Sequence, residues 1–449
     1  MNSRQFFACL LSGGRIFDPI MTTATPNELA SEIVSIEHIA PGGDGLGRLA
    51  NGERVFVANT APGDEVELDV IERRKGVAHG HVKRLVVAGP ERIAAACPVV
   101  ESCGGCNFMH LSLAGQRAAK LGMLADALRR VGNVEFDVQS VEIVSAGDGF
   151  GYRSRVRLHI DGTGNLGFYS ARSKRVVAIS QCAVVEPALN VVLQALATSG
   201  ASAQRLLKLC TELEVRAAQG EPALVVRLFP KPSVKLHAPS FEALFPPGTK
   251  VVVVGSEADH EVCQNIALPG GLVATAPASS FTQVNRGVNE RLVADVVKAA
   301  TLRQLRTFVD PFAGAGNFTL PLLFAGLTGE SIDAEPAGIL AARKVARERG
   351  LPFTGFNVGD AKVQLQALVR AGRQFDLALL DPPREGAKAT LPLVKQLQPQ
   401  LIMLVACDPV SLARDLKEVT SWGASVDSIT IYDMFPQTHH MEVLAIVNV

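Results

Sequence analysis

The sequence predicts an α/β protein whose C-terminal part is a doubly wound, mostly parallel sheet. Three observations predict it. From Phe281 onward, short apolar runs alternate with helical stretches, the texture of successive strand–helix units. A glycine-rich loop, Asp310-Pro-Phe-Ala-Gly-Ala-Gly-Asn-Phe318, falls between a strand candidate and an apolar helical run. Well before it, short strands punctuated by glycine and proline fill Glu32 to Leu85, as in a small OB-like β-barrel.

A chain of 449 residues is too long for one core, so two or three domains are expected. Apolar residues at 47% and charged residues at 20% describe a folded globular protein and exclude a disordered one. Apolar runs such as Leu377 to Leu380 are strand-length, and none approaches the roughly 20 residues of a membrane helix. The stretch Phe6 to Leu11 is too short for a secretory core, which makes a cytoplasmic location the expectation. Residues 1–28 carry no domain pattern, and Met21 is an alternative start. Net charge is zero, so any nucleic-acid partner has to be gripped by local basic patches.

The barrel is expected over residues 29–88. Its strands are read at Glu32–Ile39, Arg54–Val57 and Glu65–Val70, with Gly42, Gly43, Gly45 and Gly47 allowing tight bends after the first. Arg73, Arg74, Lys75, Lys83 and Arg84 could contact phosphates or form an ordinary solvated face. A central α+β region is expected over 89–275, with a helix from Gln116 to Val131 carrying Leu121, Leu124 and Leu128 on one stripe. The strand Gly151–His159 has a period of two that puts Arg153, Arg155 and Arg157 on one face. Three guanidiniums there are costly to bury and suited to phosphates, which points to RNA.

The last domain, 276–449, has strand candidates at Thr307–Asp310, Ser331–Glu335, Phe375–Asp381 and Leu401–Cys407. Helices Gly338–Arg349 and Ser411–Thr420 separate some of them. In the glycine loop, Gly314 and Gly316 permit close backbone approach, and the helix that follows offers free amides. Glu335 after the next strand can accept from both ribose hydroxyls, and Asp360 falls where such folds hold an adenine edge. No lysine follows the glycines, so a phosphate-binding loop is disfavoured and S-adenosylmethionine fits better.

Eight cysteines sort by spacing. Cys97, Cys103 and Cys106, joined by the distant Cys182, offer four thiolates for zinc or for an iron–sulfur cluster, and spacing alone does not choose. Cys9, Cys210 and Cys263 have no such company. Cys407 stands alone at a strand end in Leu404-Val-Ala-Cys-Asp-Pro409, after Asp381-Pro-Pro-Arg-Glu-Gly386. A thiol beyond a cofactor loop points to covalent catalysis.

The order of these pieces resembles the RNA uracil-5-methyltransferase family, and within it the members with a TRAM domain and an iron–sulfur cluster that act on 23S ribosomal RNA. The resemblance runs from about residue 30 to the C-terminus. It implies a Rossmann-like methyltransferase domain, a TRAM barrel and a 4Fe-4S cluster on Cys97, Cys103, Cys106 and Cys182. It assigns cofactor contacts to Gln283, Phe312, Asn317, Glu335 and Asp381. It also makes Cys407 the nucleophile for uracil C6, Glu442 the base for the C5 proton, and Asp381 a contact to both uracil and cofactor. Ribosomal RNA is favoured over transfer RNA as substrate, with no membrane and no protein partner implied. Two departures stand out: Met109 precedes His110 where the family has Gln, and Ala406-Cys407-Asp408-Pro409 replaces Ser-Cys-Asn-Pro. Asp408 beside the thiol is expected to raise its pKa. Two rivals use fewer of these features. An amino-directed methyltransferase has no use for Cys407 or Glu442, and Arg384 stands where its stacking aromatic would be. A non-catalytic RNA scaffold needs none of the three.

Overall fold

A computed structural model describes residues 31–74, 76–352 and 355–449. The expected tail, the alternative start at Met21, Cys9 and Lys75 lie outside the described residues. The N-terminal strands Glu32–Ile39, Gly45–Arg48, Arg54–Val57, Glu65–Arg74 and Val77–Val87 close into a barrel. Val34, Ile36, Val55, Val57, Val66 and Leu68 point inward by strict alternation, and closure leaves no free edge.

The catalytic sheet has eight strands in the spatial order Gly355–Val358, Thr328–Asp333, Thr307–Asp310, Leu377–Leu380, Leu401–Ala406, Glu442–Asn448, Ser425–Tyr432, Glu142–Val144. Thr307–Asp310 pairs in parallel with neighbours on both sides, and Glu442–Asn448 runs antiparallel between its two neighbours. Both faces are covered, so its strands read as unbroken apolar runs. Leu377, Leu379, Leu401, Met403 and Val405 pack in one core, whereas Ala378, Leu380, Ile402 and Leu404 pack in the other.

The expected central unit is divided by the structure. A six-stranded sheet, Thr249–Val253, Leu224–Pro230, Cys210–Ala217, Arg155–Ile160, Leu166–Tyr169 and Val176–Ala178, has a core of its own under two helices. The helix Leu113–Ala127 instead sends Met123, Leu124 and Ala127 into the catalytic core, and Glu142–Val144 forms that sheet's eighth strand. The hairpin Cys263–Leu268/Leu272–Pro277 likewise buries Leu268, Leu272 and Ala274 against the catalytic helices. A boundary at 275 therefore cuts through a packed unit. No helix among the described residues is long and apolar enough to cross a membrane.

Candidate active site

The sheet's carboxyl edge collects the chemistry. Leu377–Leu380 delivers Asp381, and its neighbour Leu401–Ala406 delivers Cys407. The antiparallel strand Glu442–Asn448 pairs Ala406 with Val443, which sets Glu442 across from Cys407. Three strand termini thus bring a thiol and two carboxylates together by register alone.

Burial governs their protonation. The Asp381 carboxyl is pushed up to about 7 by burial and by the charge of Asp310. Glu442, 3% exposed, is raised well above the ordinary carboxylate range by burial and then by Asp381. The Cys407 thiol is pushed up to about 11 by burial first and Glu442 second, with Arg384 opposing and Asp381 adding to the rise. Asp408 is not the neighbour that matters. Its carboxylate accepts from the Ser411 amide at 3.0 Å and caps the helix Pro409–Thr420, so its charge is spent on backbone N–H groups. His440 is depressed to about 4 by burial and His439, and His439 is lowered by burial, so neither supplies an imidazolium for the thiol.

The glycine loop lies beside these strand ends. Its Asp310 is fully buried, accepts from Thr319 Oγ1 at 2.7 Å and is pushed up to about 7 by burial. Gly316 has φ +87°, and a Cβ there would meet Leu320 at 2.8 Å and Ala342 at 3.0 Å, so no larger residue fits. Gln283, Phe312, Asn317 and Asp381 line one cleft against this loop. Sequence reasoning missed further lining residues, and three polar ones stand out. Asn289 exchanges hydrogen bonds with Asn317 at 2.8 and 3.0 Å; its spacing of four from the helix-capping Asn285 was a readable signal. Gln264 is buried with an unpartnered Nε2, and Arg286 reaches the cleft from the same helix as Asn289.

Two expected contacts stand outside that lining. Glu335 caps the helix Pro336–Glu348, accepting from the amides of Ala337 and Gly338, and takes a bond from Ser280 at 3.3 Å. Asp360 is exposed and caps Ala361–Arg370 through the Val363 amide. The expected strand to Glu335 ends earlier, at Asp333, whose carboxylate accepts from the Gly314 amide at 2.8 Å.

The arginines share a strand face but not a surface. Arg153 and Arg157 line a cavity with the cysteines, whereas Arg155 lines the cofactor cleft and sits over Phe281 at 5.1 Å. Arg157 pairs with Glu212 at 2.7 Å and stacks on Phe229 at 4.0 Å. A single phosphate grip of three guanidiniums is therefore not formed, because cross-strand acids and aromatics separate them. On the barrel, Arg73, Lys83 and Arg84 are paired with Glu53, Asp69 and Glu67, the solvated-face alternative.

Cys97, Cys103, Cys106 and Cys182 line one cavity of about 230 Å³ beneath Met109 and Phe168. They are free thiols, and Cys106 is pushed up to about 12 by burial and by its three companions. Among the described residues no group of three ligating side chains converges as a single bound ion requires. His110 turns away to the Thr60 carbonyl at 3.0 Å, whereas Met109, the departing residue, is buried against Cys97, Cys106 and Cys182 and replaces no ligand.

A doubly wound sheet with a phosphate-free cofactor loop and a thiol beside two buried carboxylates, joined to a β-barrel module, defines an RNA-directed methyltransferase. The comparisons with known proteins sharpen that class. Residues 361–448 match the family model described as tRNA (Uracil-5-)-methyltransferase, and residues 33–83 match the TRAM domain. The 23S rRNA (uracil(1939)-C(5))-methyltransferase RlmD of Aeromonas hydrophila is 30% identical over 444 residues, covering 96% of this chain and 99% of that protein. The protein of the same name from Halomonas elongata is 31% identical, covering 91% of this chain and 87% of its own. A crystal structure of Pyrococcus abyssi tRNA (uracil-54, C5)-methyltransferase with S-adenosyl-L-homocysteine superposes with a TM-score of 0.70 at 22% identity, over 93% of this chain and all of that one. The chain belongs to the RNA uracil-5-methyltransferase family.

Proposed function

We propose that the protein methylates C5 of a uridine in 23S ribosomal RNA through a covalent adduct between Cys407 and uracil C6. The observation that carries this reading is the placement of Glu442 opposite Cys407 across adjacent strands, with Asp381 on the next strand. Uracil C5 is a weak nucleophile. The Cys407 sulfur forms a bond to C6, and the displaced C5=C6 electrons become an enolate with density at C5. S-adenosylmethionine, when bound, would supply the methyl group to C5 as an electrophile, its S–CH3 bond breaking so that S-adenosylhomocysteine is the leaving group. Glu442, acting as the ionised carboxylate, then takes the C5 proton, the C5=C6 bond re-forms, and the C6–S bond breaks to release the thiolate. Asp381 faces the uracil imide edge. The thiol starts protonated, since burial and Glu442 hold it near 11, so it must lose its proton as substrate enters.

The polar lining of the cleft supports this cofactor. Gln283, Phe312, Asn317 and Asp381 would hold it, with the orphan Gln264 amide as a further donor and Glu335, beside the glycine loop, as ribose acceptor. Asp360 is proposed for the adenine edge only through its place at the end of the following strand. Arg153, Arg155 and Arg157 are proposed as RNA contacts acting at two separate places.

The four cysteines are proposed to carry a 4Fe-4S cluster. The donor set and the shared cavity support it. A cluster binds each thiolate through a different iron, so it does not ask the sulfurs to converge on one point as zinc does. Ribosomal RNA is favoured because the relatives at 30% identity or above carry that substrate in their names. The test is nucleoside mass spectrometry of protein-free ribosomal RNA after incubation with S-adenosylmethionine and wild type or Cys407→Ala. 5-Methyluridine from wild type alone is the expected result; another methylated base, or equal product from both, would overturn the covalent route. Product on transfer RNA only would move the substrate assignment.

A further inference from the structure

Glu442 is the first residue of its strand, paired with Tyr432 at the last rung before the loop 433–441. A terminal rung is the first to fray, and a free loop of this length would let the carboxylate wander. The structure prevents that with bonds that come almost entirely from outside the sheet. The helix Leu113–Ala127 sends Lys120, fully buried, to Asp433 at 2.5 Å and to the Phe435 carbonyl at 3.1 Å. One turn earlier, Gln116 accepts from the Gln437 amide at 2.8 Å and donates to the Gln437 side-chain oxygen at 3.0 Å. Gln437 itself holds φ +68°, a conformation that needs such support. Tyr152 donates to the Pro436 carbonyl, and the Phe108 amide donates to the Gln437 carbonyl at 3.0 Å. The Asn107 side chain, one residue past Cys106, accepts from the His439 amide at 3.0 Å.

We infer that Lys120 and Gln116 are positioning residues for Glu442, clamping the loop that presents it. The inference rests on the reading of Glu442 as base. Stability alone gives no reason for the Lys120–Asp433 pair, because burying two charges costs as much solvation as their attraction returns. Leucine and methionine of similar volume would hold the loop to the helix equally well. What an ion pair adds is a single register, since Nζ has one place to sit between Asp433 and the Phe435 carbonyl. The clamp also explains why this helix joins the catalytic core and leaves the six-stranded sheet. Through Asn107 and Phe108 it ties the cysteine segment to the same loop.

A misplaced base would leave bond formation intact and delay elimination, so the methylated RNA–protein adduct should accumulate. The experiment follows single turnovers with radiolabelled S-adenosylmethionine, measuring the label held in denaturant-stable adduct and the label released as 5-methyluridine. Glu442→Gln is the reference, expected to slow release about 100-fold with adduct accumulating. Lys120→Met leaves Asp433 buried and unpaired and risks misfolding, so the deciding variant is Lys120→Met/Asp433→Leu, which keeps the volume and removes both charges. It is expected to melt within a few degrees of wild type and form adduct at the wild-type rate. Release should slow by about tenfold or more. Gln116→Ala should do the same more weakly, and Lys120→Arg should restore much of the release. If Glu442→Gln traps adduct while the double variant releases product at the wild-type rate, or slows formation and release in proportion, the clamp is wrong. If Glu442→Gln traps nothing, the base assignment falls and takes the clamp with it.

Discussion

The catalytic cleft and the cysteine cavity both gather anion-forming groups with few cations to balance them, yet they are built differently. In the cleft, Asp310, Asp381, Cys407 and Glu442 stand at the ends of central or near-central strands, fixed by ladder register, with Asp310 and Glu442 buried and Asp381 and Cys407 half-buried beside them. In the cavity, Cys97, Cys103, Cys106 and Cys182 sit on loops outside any helix or strand and are only half-buried. The first arrangement is rigid without a ligand. The second has no ladder to hold it, and a bound cluster would supply the missing cross-links. In the cleft, burial pushes the carboxyls of Asp310, Asp381 and Glu442 up, a rise that a bound sulfonium cation would oppose.

The comparison breaks most sharply at the nucleophile. Cys407→Ala should lower 5-methyluridine formation by about 10⁴-fold or more while leaving the fold intact, because Ala fills a strand-end position without touching the ladder. Thermal melting that stays near wild type, together with lost product by nucleoside mass spectrometry, is the expected pair of readings. In the cavity the balance reverses. Cys106→Ala should strip the iron, seen by metal analysis, and cost about 3–4 kcal/mol of stability measured by chemical denaturation, the scale of a tightly held ligand. Cys210→Ala is the control, since that thiol is buried in the six-stranded sheet's core, and it should leave iron content unchanged.

The difference also bears on what could be read from the chain. Asp381 and Cys407 were legible because unbroken apolar runs end at them, and a strand end in a doubly wound sheet is where ligands bind, whereas Glu442 opens its strand and was reached through the resemblance alone. The cavity was legible only as spacing. Lys120 and Gln116 were not legible at all: they are polar residues one turn apart on a helix and read as its solvent face, whereas both are buried against the loop 433–441. The three-residue strand Glu142–Val144, which lies in the expected central region yet joins the C-terminal sheet, is too short for periodicity to show. Glu335, Asp360 and Asp408 teach a further point. Each is an acid directly before a helix, two of them followed by proline, and each turns out to cap that helix. The capping signal was present in the sequence and competed with the functional one.

A smaller effect sharpens the claim that a bound cation opposes this rise in the cleft. Burial raises Asp310 and Asp381 from the usual carboxylate range to about 7. Between roughly pH 4 and 7 the unfolded chain has therefore released protons that the folded, cofactor-free protein keeps. Their contribution to stability is full at the acid end of this window and is lost as pH rises through 7. S-adenosylmethionine carries positive charge and favours the ionised carboxylate, so its binding at pH 6 should release protons, up to about one from Asp381. Calorimetric titrations at pH 6 in two buffers of different ionisation heat measure that number directly. Asp381→Asn should reduce it; equal proton release from the variant would show that the cofactor's charge is met elsewhere.

The smallest expected effect concerns Asp408. Read from the sequence, a carboxylate adjoining the thiol should hold its pKa up, so that Asp408→Asn would shift the pH–rate profile toward acid. The structure assigns the rise to burial, Glu442 and Asp381, and turns Asp408 onto the Ser411 amide. Asparagine caps a helix about as well as aspartate, so stability should change by only a few tenths of a kcal/mol. The pH–rate profile of single-turnover adduct formation should superimpose on that of wild type. Glu442→Gln, in contrast, removes the carboxyl that contributes most to the rise after burial and should move the same profile toward lower pH, since the thiol then ionises more readily. An acid shift in Asp408→Asn as large as that of Glu442→Gln would mean that the capping carboxylate still governs the thiol, and the enclosed cleft would lose its place as the sole source of the raised pKa.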